Sequence, residues 1–214
     1  ENQTSWNILH EQLFGDYVDS LSVIADTTIN DSVWKKLNYY TTFNTQPEQM
    51  NVFGYLKEDT TTGKAWYFST ADFTKRLIMD MSLMLTDSFQ LINIGGSVYY
   101  HVDSVYYVSG KKNIRLNFPL FYTANQEKFT MIEGVGTNVG IRYTESAWPG
   151  LNPYLLCQQK DFLPEYLNVS PDWMGACSIT TSNQTRDFKF SFFPNPAQNE
   201  IRIESDEDLH SFNV

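Results

Sequence analysis

Three histidines, His10, His101 and His210, are the side chains best suited to proton transfer near neutral pH. None sits in a His-Glu-x-x-His pattern or at a spacing that places two on one helix face. His101 has Asp103 and Ser104 beside it, and an acid, an imidazole and a hydroxyl are the parts of a nucleophilic triad. In an extended segment, side chains alternate, so His101 and Asp103 share one face and Ser104 points to the other. A hydroxyl on the far side of a sheet cannot pass its proton to that imidazole. Glu133 precedes Gly134, Val135 and Gly136, where flexible glycines beside a carboxylate could hold an acid near a ligand. Glycoside hydrolysis would need a second carboxylate, such as Asp80 or Glu58, at about 5–5.5 Å or about 6.5–9.5 Å. The plainer reading is a strand end turning through glycines, with Glu133 solvated or paired to Arg115 or Arg142. Gly134-Val135-Gly136 lacks the rest of a dinucleotide fingerprint. No residue is assigned a catalytic role, no cofactor is implied, and the binding residues are left open.

Glu204-Ser205-Asp206-Glu207-Asp208 offers oxygens to a calcium ion, but it lacks the glycine and ligand spacing of a calcium loop and reads as a solvated turn. Trp148, Tyr154, Phe162, Tyr166 and Trp173 crowd a proline-rich stretch. Exposed, they would suit sugar rings or a peptide; packing onto a sheet is the preferred reading. Cys157 and Cys177 match no redox motif, and two thiols cannot make an all-cysteine zinc site. They are either two separate buried thiols or a disulfide closing a loop of about 20 residues, worth roughly 3 kcal/mol. The disulfide is preferred because the stretch between them is loop-like, and it would imply an oxidising compartment.

The elements that must position these groups are strands. Aromatic residues make up 15% of the 214-residue chain and charged residues only 19%, a balance that favours β-structure. The net charge of −10 and the absence of a Lys/Arg cluster argue against nucleic-acid binding. No apolar run reaches the roughly 18–20 residues of a transmembrane helix. Glu1-Asn2-Gln3-Thr4 has no leader character, which fits either a cytosolic chain or a mature form.

From Asn51 to Gly136, strand-like segments recur with breaks too short for crossover helices, the mark of antiparallel meander pairing. Their alternation puts Leu77, Met79, Met81, Leu83 and Leu85 on one face, and Tyr100, Val102, Ser104, Tyr106 and Val108 on one face of a later segment. Thr60–Gly63, Gly95-Gly96 and Ser109-Gly110-Lys111 are the turn signals. Tyr17–Ala25 and Val33–Phe43 form a hairpin about Asn30-Asp31. Trp6–Phe14 is either a short helix or a strand. Beyond Asn138, prolines at 149, 153, 164 and 171 discourage long elements, although Tyr154–Gln158 could add a strand. The expected fold is all-β, an antiparallel meander forming a sandwich or irregular barrel. It spans residues 1–186, carries a proline-rich loop region, and is followed by a separate, truncated β segment at 187–214.

That last segment contains Phe193-Pro194-Asn195-Pro196-Ala197, a short polar gap, and the alternating Ile201-Arg202-Ile203. It resembles the start of the C-terminal sorting domain of type IX secretion cargo in Bacteroidetes, with Phe193 where that family usually has Tyr. The match covers about the last 27 residues, far short of a whole sorting domain. One or two strands cannot close a sandwich alone, so this piece should be disordered or borrow pairing from the body. More loosely, the body resembles uncharacterised domains that precede such tails, through Asp26-Thr27-Thr28-Ile29-Asn30, Gly54-Tyr55-Leu56-Lys57-Glu58-Asp59 and Ile132-Glu133-Gly134-Val135-Gly136. The resemblance implies a protein secreted or attached to the outer cell surface, with the secretion machinery as partner of the tail. It also implies O-glycosylation at Asp-Ser/Thr sites, Thr60 foremost. The expected function is a binding or structural module with a glycan or protein ligand, or alternatively a hydrolase of polysaccharide or peptide.

Overall fold

The computed structural model describes residues 3–11, 17–41, 48–93, 96–120, 127–141, 152–168, 177, 191–193 and 202–204. These residues contain strands and turns and no helix, so none is long and apolar enough to cross a membrane. The chain divides into two units, Glu1–Ile179 and Thr180–Val214.

In the first unit, the alternating segments become β1 (Thr4–Glu11), β2 (Tyr17–Ile29), β3 (Ser32–Thr41), β4 (Glu48–Asp59), β5 (Lys64–Ser69) and β6 (Lys75–Asp80). They are followed by β7 (Ser88–Asn93), β8 (Gly96–Val108), β9 (Lys111–Pro119), β10 (Lys128–Ile132), β11 (Gly136–Thr137), β12 (Asn152–Lys160) and β13 (Leu163–Leu167). The larger sheet has eight strands in the order β13-β12-β1-β2-β3-β4-β5-β6, and the smaller has five in the order β11-β10-β9-β8-β7. Both are antiparallel and curled, as a sandwich or irregular barrel requires. The meander pattern holds from β1 to β6 and from β7 to β11. Its hairpins turn through paired positive-φ residues, Asn30-Asp31 (φ 47° and 56°) and Ser109-Gly110 (φ 50° and 79°), the backbone that matches the twist of flanking strands.

Three expectations need correction. The open choice for Trp6–Phe14 falls to strand over Trp6–Glu11, because Trp6 and Ile8 both face the core as a period of two demands, while 12–14 lie outside the described residues. The Leu77–Leu85 alternation fails at a register shift between Leu77 and Met79, which leaves Leu77 outward and Met79 in the core. The strand ends at Asp80, whose carboxylate accepts the Ser82 amide (3.0 Å) while Asp87 takes that of Met84 (2.9 Å). Local side-chain acceptors thus turn the chain where the apolar pattern alone reads on. The proline-rich region contains two strands. Pro164 lies on the sheet edge, and Pro153 on the part of β12 that pairs with β1 but precedes the first β13 partner, Cys157. Missing N–H groups are tolerated at such places.

Two clusters make up most of the core. One joins Ala65 and Met79 of the larger sheet to Phe89, Val102, Ile114 and Met131 of the smaller. The other gathers Trp6, Leu21, Leu37, Leu56 and Tyr67 under Ile132, Val135 and Ile141. Close approach is set by glycine at two points: a Cβ on Gly140, already at φ 104°, would lie 2.5 Å from Ile8 Cδ1, and one on Gly54 would lie 2.5 Å from the Tyr67 hydroxyl.

In the second unit, β14 (Ser191–Phe193) and β15 (Arg202–Glu204) pair antiparallel, Phe192 opposite Ile203. The fragment therefore pairs within itself, since its two strands lie close enough in sequence to form their own ladder. The residues 194–197 that carry the resemblance, and the polar stretch 180–186, lie outside the described residues.

Candidate cavity at one end of the larger sheet

At the end of the larger sheet where β4 turns into β5, a cavity of about 360 Å³ opens, within the usual range for small-ligand sites. Trp6, Val23, Leu56, Ala65 and Met79 give it apolar walls. Its charges come from strand ends: Lys35 of β3, Glu58 and Asp59 of β4, Lys64 of β5 and Lys160 of β12. The turn between β10 and β11 closes it with Glu133 and Gly134.

That turn is pinned from both sides. Trp6 Nε1 donates to the Val135 carbonyl (2.6 Å) and Gln158 Nε2 to the Gly134 carbonyl (3.1 Å). Glu133 and Lys112 exchange two bonds: the Glu133 amide donates to the Lys112 carbonyl, and the Lys112 amide to Glu133 Oε2, each at 2.9 Å. Glu133 is thus held by a backbone amide, and not by Arg115. Arg115 is committed to Asp103 (2.7 Å), and Arg142 lies outside the described residues. Of the two possible acid partners, Glu58 lines the same cavity, whereas Asp80 is buried against Lys64 (3.3 Å).

Gln158 is 4% exposed, and among the described residues its Oε1 has no hydrogen-bond partner. The Gly134 carbonyl needs a donor, which fixes the amide with nitrogen toward the turn and leaves the oxygen as the unpaired group. The hairpin leaving Lys160 turns through Asp161 and Phe162 at φ 52° and 65°, and the Phe162 ring is 78% exposed. A bulky residue rarely adopts that backbone.

The other sequence candidates scatter. A bulge between Val102 and Ser104 shifts the register of β8, so Val105, not Ser104, follows Tyr100 and Val102 toward the core. Asp103 is paired to Arg115 and Lys128, and its carboxyl is held below the usual range. Partial burial opposes that shift, and the hydrogen bonds and charges of Lys128 and Arg115 together outweigh it. His101 Nδ1 instead meets Ser88 Oγ (2.9 Å) across the β7–β8 ladder, so no triad assembles. Tyr154 is buried, Tyr166 is largely covered with its phenol pushed up to about 12 by burial, and Trp148 and Trp173 fall outside the described residues. Among the described residues no group of His, Cys, Asp and Glu could hold a metal; 205–208 lie outside them.

Cys157 and Cys177 are joined by a disulfide with Cα atoms 5.2 Å apart. Asn7 Nδ2 donates to the Cys177 carbonyl (2.7 Å), tying the bridge to β1. A pairing missed in the sequence is His10 Nε2 with the buried Asp19 Oδ2 (2.8 Å), under a stacked Tyr17 ring (4.7 Å, 5°). Burial and the Asp19 charge push the nearby Tyr39 phenol up.

Compared with known proteins, the chain matches no family model, no curated sequence and no solved structure.

Proposed function

We propose that this chain is a secreted or cell-surface binding module that takes a neutral glycan unit in the cavity beside Glu58. Gln158 carries the reading. A buried amide oxygen without a donor costs about 1–3 kcal/mol, and a ligand hydroxyl entering the cavity would supply that donor. The surrounding charges balance, Lys35, Lys64 and Lys160 against Glu58, Asp59 and Glu133, so they favour a ligand that both donates and accepts over a free ion. Phe162, exposed at the hairpin tip beside Lys160, is a ring that can stack on a sugar face. The disulfide agrees with an oxidising compartment. In this reading the Pro194-Asn195-Pro196-Ala197 segment begins the address read by a type IX secretion machinery.

The test is titration calorimetry of the full chain with neutral oligosaccharides of different linkage, beside Gln158→Met, which keeps the bulk and removes the acceptor. Binding of one sugar class, weakened in the variant, is expected; equal affinity in both proteins would sink the role of Gln158. Glu58 and Glu133 on one cavity support the second reading, hydrolysis. Product release from a bound oligosaccharide, abolished in Glu133→Gln, would make the module an enzyme.

A further inference from the structure

The face of β3–β6 turned away from the core carries two rows of side chains. Directly opposed residues share a face, and Lys57 pairs with Trp66, which pairs with Leu77. Trp34 joins Lys57 at the other end of this row, its ring 6.0 Å from the ammonium. In the next row Lys36 pairs with Tyr55, Tyr55 with Phe68, and Phe68 with Lys75. Lysine and aromatic residues are therefore interleaved across four strands. Lys75 Nζ lies 5.8 Å from Trp34 and 5.1 Å from Trp66, and Phe68 meets Trp34 edge-on at 6.2 Å.

Two consequences follow. The rings hold the lysine stems against the sheet, so their ammoniums are placed before any partner arrives. And among the described residues none of the three lysines is in ion-pair distance of a carboxylate, although the chain as a whole carries −10. Lys57 Nζ donates to the Ser32 hydroxyl (2.9 Å), and Asp59 feels its charge without pairing. A cationic group of side chains on an anionic protein selects an anion.

We infer that this outer face binds an acidic polysaccharide, one whose rings carry carboxylates. Lys36 and Lys75 lie three inter-strand steps apart, roughly 14 Å along the row, with rings between them. A chain of sugar rings with regularly spaced carboxylates offers the matching sequence of apolar ring faces and anions. An acidic peptide supplies the charge without the flat rings. A membrane surface would call for protruding apolar side chains, whereas Tyr55, Trp66 and Phe68 are half-buried and Trp34 is 5% exposed beneath Lys57 and Lys75.

The probe is a set of oligogalacturonides added to the full chain, read by calorimetry and by the fluorescence of Trp34 and Trp66. Binding is expected at about 0.01 M salt and should weaken toward about 0.15 M, as the screening length falls from ~30 to ~8 Å. Lys57→Gln with Lys75→Gln should lose at least about tenfold in affinity, as removal of two charge-assisted contacts implies. Lys57→Arg with Lys75→Arg should retain binding, which separates loss of charge from loss of fold. Lys128→Gln, which removes a charge from the smaller sheet, should bind as the parent does. No binding at low salt, or undiminished binding by the Gln pair, would overturn the inference. So would poly-glutamate or anionic vesicles binding as tightly as the oligogalacturonide.

Discussion

Lys35 and Lys36 are neighbours in sequence and belong to different surfaces. Lys35 lines the cavity and pairs with Asp26 (3.4 Å), while Lys36 stands on the outer face opposite Tyr55. The same holds for Lys57, over the Trp34 ring, and Glu58, in the cavity. On the inner face of β3–β6, the cavity charges border an apolar centre of Leu37, Leu56 and Tyr67, with Lys35 directly opposite Leu56. On the outer face, charge runs through the middle and is balanced by aromatic rings instead of carboxylates. One alternation thus builds two kinds of site: a cavity with paired signs, and an outer face whose lysines stand among aromatic rings.

The contrast is open to attack by substitution. Leu37→Ala should cost about 2–5 kcal/mol, as for other fully buried leucines, while Lys36→Ala one residue earlier should stay within about 0.5 kcal/mol. Urea unfolding of the two variants measures the difference, and comparable losses would mean that the faces are misassigned. Next in size is the disulfide, which anchors β12 one residue before Gln158. Replacing both cysteines by alanine should lower stability by roughly 3 kcal/mol for a loop of this length and loosen ligand binding at the cavity. Calorimetric unfolding unchanged by the replacement would show that the intervening loop does not brace β12.

Phe162→Gly should behave oppositely in its two readouts. Relief of the left-handed backbone stabilises by about 1 kcal/mol, while loss of the ring weakens oligosaccharide binding. A variant that gains stability and keeps its full affinity would remove Phe162 from the site. The smallest effect belongs to Asp103, which pairs with Lys128 and Arg115 on the smaller sheet, as the lysine rows of the larger sheet do not. Both cations are more than a third exposed, so Asp103→Asn should cost no more than about 1 kcal/mol at neutral pH. The folded-state pKa of Asp103 is lowered. Its contribution is therefore present above the unfolded value of about 3.9 and lost as pH falls through the folded one. The gap between parent and Asp103→Asn should close on acidification in chemical unfolding; a gap that stays constant to pH 2 would show that the carboxylate charge is not its source.

Much of the fold is legible locally. The period of two, the turn pairs Asn30-Asp31 and Ser109-Gly110, and the short breaks are properties of adjacent residues, and they dictate an all-β meander whatever the rest does. The misread places are those where a distant partner or a bulge intervenes. Trp6–Phe14 is ambiguous alone because the strand at Trp6–Glu11 depends on β12, with Asn7 opposite Cys157. The extra residue at Asp103 reverses a face that strict alternation assigns the other way. Glu133 was noticed beside its glycines, but nothing local placed Gln158 or Trp6 against the same turn.

The sequence by itself therefore determined the strand class, the hairpins, and the availability of two cysteines for one bridge, since these follow from steric preferences and patterns within a few residues. Only the tertiary structure decided that β12 returns to pair with β1, that Gln158 meets Gly134 above Trp6, and that lysines and rings of four strands fall into alternating rows. Those outcomes depend on register and on contacts between distant segments, which are set by packing the whole sheet at once.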